Sequence, residues 1–463
     1  MTQELLVSLD RKNGPPLHIQ IERELRHAIR SGRLPPGAPL PSSRTLAQDL
    51  GISRGVIVEA YDQLIAEGYL IARRGSATRV AKTGAHVAND AAPEPVSSRP
   101  RYDFRLGVPN LAGFPRQEWL ASVRRVLKET PAATFGYPDP RGVAELRAAM
   151  AAYLGRVRGV TAEPNGVVIC SGYAQGLLLV CQALKQRGAR RVVMEDPFQG
   201  DQRAIVARTG LEPVSVPVDQ NGLRTDVLSG VTADAAVVTP AHQYPTGAVL
   251  APERRVELCS WAERQGAVVI EDDYDAEYRY DREPIGALQG LSPERVVYAG
   301  STSKTLAPCL RLGWFVLPSW LVTSVAQAKF NDDLGSPGIE QVVLADFISS
   351  GRFDRHLRRN RAIYRRRRDA LVSALREHVP EGEVEGIAAG LHLVATFPEG
   401  VDEKRLVDAA AEQSVGVNAM APYRFFGSVG PAAILLGYGN ISEAAIETGV
   451  RRLRQAIESA HGS

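Results

Sequence analysis

The segment VVYAGSTSKTLAPCLRLGWFV, residues 296–316, places one lysine between two short apolar runs. The first run ends at the sequence STSK, so we expect Lys304 to lie at the end of a β-strand. A lysine amine that burial keeps neutral can condense with the aldehyde of a cofactor to form a Schiff base. Arg311 follows seven residues later, where its guanidinium can pair with a phosphate. Taken alone, SxSK is more typical of a surface loop, so the interpretation needs support from the rest of the chain.

Similar apolar runs recur along the chain and alternate with helix-length amphipathic stretches. This alternation predicts an α/β unit with a mostly parallel sheet that is covered by helices on both faces. Beyond about Gly335, an arginine-rich helical region and an α/β tail predict a smaller C-terminal subdomain. The predicted strands are residues 167–170, 191–194, 235–238, 267–270, 295–298 and 312–316.

Two other predicted strand ends carry residues that suit the same chemistry. The sequence EDDY, residues 271–274, closes the run 267–270, and a carboxylate there can hold a pyridine nitrogen protonated while a phenol bonds the ring's 3-oxygen. The sequence SGYAQG, residues 171–176, joins a strand to a helix, and the free amides of a helix N-terminus suit a phosphate. Each feature alone is weak evidence, but their order on successive strands predicts one cofactor site.

The first 80 residues have a different pattern, which predicts three helices and a hairpin. Apolar spacing predicts a helix from Leu17 to Ser31, and Ser42 and Ser43 can cap a short second helix that stops at Gly51. Ser53 can cap a third helix, for which we expect four inward residues. These are Val56, Ala60, Leu64 and Ile65.

After Gly68, the runs 69–72 and 78–80 flank a basic tip and predict a β-hairpin. Two helices joined by a glycine turn and followed by a basic hairpin suit insertion into the DNA major groove. A generic three-helix bundle fits this spacing equally well. From Met1 to Lys82 the chain has twelve Lys and Arg against eight Asp and Glu, which favours an anionic partner for this unit.

Composition limits the class of protein. The chain has 463 residues, of which 44% are hydrophobic and 23% charged, so we expect two or three globular units. Residues 81–101 contain three prolines and have no hydrophobic period, which predicts a flexible linker. The sequence lacks a secretion signal and an apolar run long enough for a membrane span, so we expect a cytoplasmic protein. Its four cysteines form no CxxC pair, and we expect no metal site.

The stretch LPPGAPLPSSRTLAQDLGISRGVIVEAYDQLIAEGYL, residues 34–70, resembles the GntR-type winged helix-turn-helix. The resemblance implies that residues 12–80 form a domain that binds double-stranded DNA. It also implies a wing that reaches the minor groove. The DNA-contacting residues that it implies are Ser43, Arg44, Ser53, Arg54, Arg74 and Gly75.

Residues 102–463 resemble the fold-type I aminotransferases, in which pyridoxal 5'-phosphate (PLP) is the cofactor. The matching motifs are Gly136-Tyr137, Pro140-Arg141-Gly142, Pro245-Thr246-Gly247, Asp272 with Tyr274, and the stretch from Ser301 to Arg311. The resemblance implies that Lys304 bears the internal aldimine, that Asp272 pairs with the ring nitrogen and that Tyr274 bonds the phenolate. The phosphate would be held by Ser301, Ser303, Arg311 and the amides of Tyr173 and Ala174. Two further cofactor residues are implied, Phe198 as the ring-stacking aromatic and Tyr244 in a slot that is Asn in the enzymes.

A winged helix linked to such a domain is similar to the MocR subfamily, the GabR-like regulators. That resemblance implies a head-to-tail homodimer whose PLP domain senses a small amine, an amino acid or PLP itself through aldimine chemistry at Lys304. The late strand 432–437 lacks the arginine with which the enzymes bind a substrate carboxylate, and Arg424 and His392 are the candidates to replace it. The alternative is a catalytically active aminotransferase that carries a winged helix.

Overall fold

The computed structural model describes residues 9–11, 14–72, 76–81, 100–281, 285–386, 388–398, 400–425 and 430–461. It contains two compact units, Met1–Ser98 and Arg99–Ser463, called here the head and the body. Most of the predicted linker and the predicted wing residues Arg74 and Gly75 lie outside the described residues.

The head is a three-helix unit with a short antiparallel hairpin, as predicted for a winged helix-turn-helix. The Ser42 hydroxyl accepts a hydrogen bond of 3.1 Å from the amide of Thr45 and begins the second helix, and Gly51, with a φ of 61°, ends it. The elements are α1 (Leu17–Arg30), α2 (Ser43–Leu50), α3 (Arg54–Ala66), β1 (Leu70–Ile71) and β2 (Arg79–Val80).

The inward face of α3 differs from the predicted one. Helix α3 buries Ile57, Ala60, Tyr61 and Leu64, whereas Val56 and Ile65 are only half-buried. The Tyr61 hydroxyl donates a hydrogen bond of 3.0 Å to the carbonyl of Pro41, so this buried side chain has a partner for its polar group. The apolar spacing did not predict a buried Tyr61, because the pattern was based on Val56, Ala60, Leu64 and Ile65.

The body is built on an eight-stranded sheet with the strand order β4-β11-β10-β9-β8-β5-β6-β7. The sheet is mostly parallel, and only β11 and β7 run antiparallel to their neighbours. Its strands are β4 (Val167–Cys170), β5 (Arg191–Asp196), β6 (Glu212–Asp219), β7 (Gly222–Leu223), β8 (Ala235–Val238), β9 (Val268–Asp272), β10 (Val296–Ser301) and β11 (Gly313–Val316).

All six predicted strands are present in this sheet, and two more were missed. All residues of strand β6 except Val216 are exposed or half-buried, and the strand contains Pro213 and Pro217, so it has no continuous apolar run. Strand β7 has only two residues. Both lie at one edge of the sheet, where burial on two faces is not required.

Helices cover both faces of the sheet, as the alternating pattern predicted. Helices α6, α7 and α11 pack on one face through a core that includes Val168 and Met194, and α8 and α9 pack on the other through Val193 and Val269. The helices before the C-terminal subdomain are α4 (Arg116–Glu129), α5 (Ala144–Arg158), α6 (Tyr173–Gln186), α7 (Gly200–Arg208), α8 (Thr225–Leu228), α9 (Pro252–Gln265), α10 (Thr302–Thr305), α11 (Ser319–Asp333) and α12 (Gly338–Ser349).

The C-terminal subdomain is an antiparallel sheet, with the strand order β12-β13-β16-β15, covered by long helices. Strand β14 pairs in parallel with β3, so the chain that follows the linker is joined to this subdomain. Among the described residues, none belongs to a helix that is both long and apolar enough to cross a membrane. The elements are β3 (Tyr102–Asp103), α13 (Arg352–His378), β12 (Glu383–Glu385), β13 (His392–Thr396), α14 (Glu403–Glu412), β14 (Val415–Gly416), β15 (Asn418–Ala419), β16 (Ala433–Gly437) and α15 (Glu443–His461).

Candidate functional site

A cavity of about 600 Å³ opens at the carboxyl ends of the central parallel strands of the body. Ligand sites of open α/β sheets occupy this position because the loops that follow parallel strands converge there. The cavity brings together nine of the residues singled out in the sequence. They are Tyr173, Ala174, Tyr244, Asp272, Tyr274, Ser301, Ser303, Lys304 and Arg311.

Lys304 lies in α10, the short helix that begins where β10 ends. Its Nζ donates a hydrogen bond of 2.7 Å to the carbonyl of Gly107. Burial lowers the pKa of the Lys304 amine, and the nearby carboxylates of Asp275 and Asp272 only partly offset that effect. A lowered pKa increases the fraction of neutral amine, which is the form that attacks an aldehyde.

Asp272 and Tyr274 lie at the end of β9, next to the strand that precedes Lys304. The Asp272 carboxylate is buried and accepts a hydrogen bond of 3.1 Å from Nε2 of Gln202. Burial raises the pKa of Asp272 to about 7. The Tyr274 hydroxyl is 3.0 Å from Nδ1 of His242, and burial raises the pKa of this phenol. Both groups lie where a bound aromatic ring can meet them.

An anion cradle lies at the other side of the cavity. Helix α6 begins at Tyr173, and its first amides have no partners within the helix. Gly172 precedes it with a φ of 83°, and a β-carbon at this position would lie 2.9 Å from Nη2 of Arg311. That nitrogen donates a hydrogen bond of 3.0 Å to the carbonyl of Ser171. Glycine therefore lets the guanidinium approach the helix N-terminus, which makes the pair suited to a phosphate.

Phe198 is not brought to the cavity. It is fully buried in the apolar core beneath the sheet, where it packs with residues of α6 and α7. The next residue, Gln199, lines the cavity instead. The prediction of a ring-stacking Phe198 is therefore not supported by its position, because the chain turns at this point and directs the aromatic ring inward.

Arg424 and His392 also lie outside the lining of the cavity. Arg424 pairs with Glu403 at 3.3 Å, and its Nη2 donates a hydrogen bond of 2.5 Å to the carbonyl of Pro431. His392 is buried in β13 and is 3.0 Å from the carbonyl of Pro245, to which its Nε2 donates. Burial lowers the pKa of His392 to about 4, so its ring is neutral near pH 7. Both side chains have structural partners, and neither faces a ligand in this cavity.

Several cavity residues were missed in the sequence. Gln199, Asp201 and Gln202 come from the start of α7, and Asp103 and Arg105 come from the chain that follows the linker. The first group had a usable signal, since it begins the helix that follows a predicted strand. The second group had none, because no local pattern shows that the chain after the linker folds back onto the sheet.

In the head, the N-terminal ends of α2 and α3 lie next to each other. Nε of Arg54 donates a hydrogen bond of 3.3 Å to the hydroxyl of Ser43. Arg44, Ser53 and Arg54 are exposed and Ser43 is half-buried. In a helix-turn-helix these two helix ends face the DNA, where they can reach phosphates and base edges. The wing residues Arg74 and Gly75 lie outside the part of the head that the structure describes.

Comparison with known proteins identifies both units. Residues 17–80 match the gntR family of bacterial regulatory proteins, and residues 104–453 match the class I and II aminotransferase family. The chain is 32% identical to the probable rhizopine catabolism regulatory protein MocR of Rhizobium meliloti, an alignment that covers 98% of this chain and 96% of that protein. It is 31% identical to the pyridoxine biosynthesis transcriptional regulator PdxR of Corynebacterium glutamicum, with 99% of both chains covered.

Solved structures give the same assignment for the body. The α-aminoadipate aminotransferase LysN of Thermus thermophilus, complexed with N-(5'-phosphopyridoxyl)-L-leucine, superposes with a TM-score of 0.71 and 27% identity over 78% of this chain and 92% of that chain. A kynurenine aminotransferase of Pyrococcus horikoshii, solved with PMP, gives a TM-score of 0.72 and 25% identity over the same shares. The chain therefore belongs to the MocR subfamily of GntR-type DNA-binding transcription regulators, in which a winged helix is joined to a PLP-dependent domain with the class I and II aminotransferase fold.

Proposed function

We propose that this regulator senses a small amine through PLP held in the body cavity, and that the amine changes how the head binds its operator. The observation that carries the proposal is the Lys304 amine, whose pKa burial lowers and which lies in one cavity with Asp272. PLP supplies an aldehyde that exchanges between amines when it is bound. An amine effector can therefore compete with Lys304 for the cofactor, and a differential affinity of about 1–3 kcal/mol between two conformations is enough for regulation.

The described residues fit PLP group by group. Lys304 would join the cofactor covalently, Asp272 would hold the ring nitrogen protonated, and the Tyr274 phenol would donate to the 3-oxygen. The phosphate would lie in the anion cradle between Arg311 and the N-terminus of α6. Its remaining donors would be Ser301, Ser303 and the amides of Tyr173 and Ala174.

The charged side chains of the cavity that are not assigned to the cofactor favour an amine effector over rapid transamination. Arg105 forms two hydrogen bonds of 2.8 Å with the carboxylate of Asp103, so an effector carboxylate would have to displace that partner. Asp201 lies at the cavity and is exposed, and within the described part of the chain no side chain is paired with it. Transamination needs a substrate that is held in one orientation, usually by an arginine with two free donors.

We further propose that the body forms a head-to-tail homodimer. Phe135 and Tyr137 are 57% and 92% exposed, and Leu334 is 51% exposed. These side chains belong to one surface, because a β-carbon at Gly335 would lie 3.1 Å from Cγ of Pro138. Exposed aromatic side chains of this size favour burial against a second copy. Two heads in such a dimer would read two half-sites on DNA.

The test measures the cofactor and the operator in one sample. Footprinting upstream of the chain's own gene defines the operator, and the holo-protein is then titrated with small amines, amino acids and PLP. We expect an effector to change both the visible absorption of bound PLP and the anisotropy of a labelled operator. Lys304→Ala should retain operator binding and lose the amine response, whereas the surface variant Lys185→Ala should keep both. An unchanged amine response in Lys304→Ala would overturn the proposal.

The second candidate function is aminotransferase activity, which the nine predicted cofactor residues that line the cavity favour. An enzyme would accumulate keto acid well beyond one equivalent per protein chain when it is incubated with amino donors and an acceptor. A sensor would change its absorption stoichiometrically and then stop. Measurement of keto acid against time separates the two functions.

A further inference from the structure

We propose that His242, supported by Asp275, is a positioning residue that directs the Tyr274 phenol proton into the cofactor cavity. His242 follows β8, and Tyr274 and Asp275 follow β9, the neighbouring parallel strand. Nδ1 of His242 is 3.0 Å from the Tyr274 hydroxyl and 3.1 and 3.2 Å from the two oxygens of the Asp275 carboxylate. One ring nitrogen therefore contacts both groups. The inference rests on the cofactor site proposed above.

The direction of these hydrogen bonds follows from which of the three groups can donate a proton. An ionised carboxylate only accepts, so Nδ1 must carry its proton and donate toward Asp275. A protonated Nδ1 has no lone pair with which to accept the phenol proton of Tyr274. The Tyr274 oxygen is thus limited to accepting at Nδ1, and its own proton remains available for the cavity. If Asp275 were absent, Nδ1 could lose its proton and the phenol could donate to it instead.

The surroundings hold the imidazole in this place. The side chains of His242 and Asp275 are 3% and 1% exposed. Gly390 has a φ of 70°, and a β-carbon there would lie 2.2 Å from Cε1 of His242 and 2.6 Å from Oδ2 of Asp275. A β-carbon at Gly247 would lie 3.3 Å from Nε2 of His242. Two glycines thus make room for the His242 ring, and Gly390 also makes room for the Asp275 carboxylate.

Donation from Tyr274 has a measurable effect on the cofactor. A hydrogen bond to the 3-oxygen withdraws electron density from it, which makes the nitrogen that joins Lys304 to the cofactor less basic. The pH midpoint of the visible absorption band reports this basicity. Except in the His392→Asn control, the other titratable groups around His242 and Tyr274 stay the same in the variants below. They are Glu195, Tyr244, Asp272, His392 and Lys304.

The experiment is a double-mutant cycle on the holo-protein, with the pH midpoint of the band as the readout. Tyr274→Phe should raise the midpoint by about one pH unit, since one hydrogen bond to a charged group is lost. His242→Phe removes the Nδ1 donor that orients the Tyr274 hydroxyl, so it should shift the midpoint in the same direction. The double variant should show no further increase over Tyr274→Phe. Additive shifts in the double variant, or an unchanged midpoint in His242→Phe, would overturn the inference.

Two control variants test whether the shift arises from the loss of a donor at His242 or from the loss of any buried imidazole. His242→Asn places an amide donor near the position of Nδ1 and should retain the wild-type midpoint, and a shift as large as that of His242→Phe would contradict the donor role. His392→Asn removes a second buried imidazole, whose centroid is 5.3 Å from that of His242, and should leave the midpoint unchanged. Thermal melting establishes that each variant is folded. If wild-type protein forms no visible band with PLP, the proposed cofactor site fails, and that outcome is distinct from a failure of the His242 inference.

Discussion

The head and the body place their functional residues in opposite ways. In the head, Ser43 and Arg54 are eleven residues apart and meet because two consecutive helices are joined by a tight turn. In the body, the cavity gathers residues that are as far apart in the sequence as Asp103 and Tyr423, and among them Asp272 is buried. The DNA-reading surface is therefore encoded locally, whereas the cofactor cavity exists only when most of the body is folded.

The largest difference that we expect between the body and the head is the loss of unfolding free energy when an ion pair is removed. Arg158 donates a hydrogen bond of 2.8 Å to Asp273, and their side chains are 1% and 2% exposed. Arg158→Met leaves a buried carboxylate without its cation and should reduce the free energy of unfolding of the body by about 3–5 kcal/mol. All four tryptophans lie in the body, so denaturation followed by tryptophan fluorescence measures this loss.

The matched change in the head removes a surface pair. Arg26 lies 2.7 Å from Glu67, and both side chains are partly exposed. Arg26→Met should change the stability of the head by no more than about 1 kcal/mol, measured by calorimetry. Equal losses of unfolding free energy in Arg158→Met and Arg26→Met would contradict the expectation that the buried ion pair of the body matters more than the surface pair of the head.

The next largest effect tests the cofactor cavity. Asp272→Asn keeps the shape of the side chain and its contact with Gln202 but removes the charge that we propose to pair with the ring nitrogen. We expect the affinity for PLP to fall by about 10- to 100-fold, the value of one hydrogen bond between charged groups. Absorbance titration of apo-protein measures it. Asp201→Asn, in the same cavity, serves as the control and should change the affinity by less than about threefold.

A similar or smaller effect is expected at the DNA. Arg54→Ala removes an exposed guanidinium at the start of α3 and should weaken operator binding by about 10- to 100-fold and relax its sequence specificity. Arg23→Ala, an exposed arginine of α1, is the control for loss of charge alone. Fluorescence anisotropy with the operator and with a scrambled duplex gives both values. If Arg54→Ala binds with wild-type affinity and the same footprint, α3 is not the recognition helix.

The smallest effect is a pH dependence confined to the body. Burial raises the pKa values of Glu195, Glu271 and Asp272 to about 7, well above those of the unfolded chain. A raised carboxyl pKa contributes stability that is complete below the unfolded pKa and is lost as the pH rises through about 7. His356 and His392, with pKa values lowered to about 4, act in the opposite sense, but only below pH 6.5.

We therefore expect the melting temperature of the apo-body to fall by a few degrees between pH 6.5 and pH 8, measured by tryptophan fluorescence. Glu271→Gln should flatten this slope because it removes one of the three titrating carboxyl groups. Its single amide oxygen can accept from only one of the amides of Leu288 and Gln289, which bond separate oxygens of Glu271. In the head, Glu67 has a lowered pKa and Tyr61 a raised one, and neither titrates in this interval. A melting temperature of the body that rises with pH would contradict these assignments.

The sequence predicted the features that depend on local patterns. The six apolar runs are strands, because residues buried on both faces of a parallel sheet must be continuously hydrophobic. Lys304, Asp272 and Tyr173 could be placed in one cavity, since each follows or precedes a predicted strand end. Strand β6 was missed because prolines and exposed positions interrupt its apolar pattern.

Features that depend on distant packing were not predictable in this way. Phe198 and Gln199 are neighbours, and only the fold decides which of them faces the cavity. Arg424 is engaged by Glu403, which is 21 residues away and lies in another element. The contacts among His242, Tyr274 and Asp275 required the pairing of β8 with β9, which no local pattern specifies.

The hydrogen bond from Lys304 to the carbonyl of Gly107 has a consequence for any ligand-free form of the protein. The same amine cannot hold this carbonyl in its present geometry and also become part of a covalent adduct. Gly107 is only six residues beyond the predicted end of the linker at Arg101, and β3 ties the intervening chain to β14. Covalent attachment of vitamin B6 at Lys304 would thus free an acceptor on the segment of polypeptide that leads out of the linker into the body.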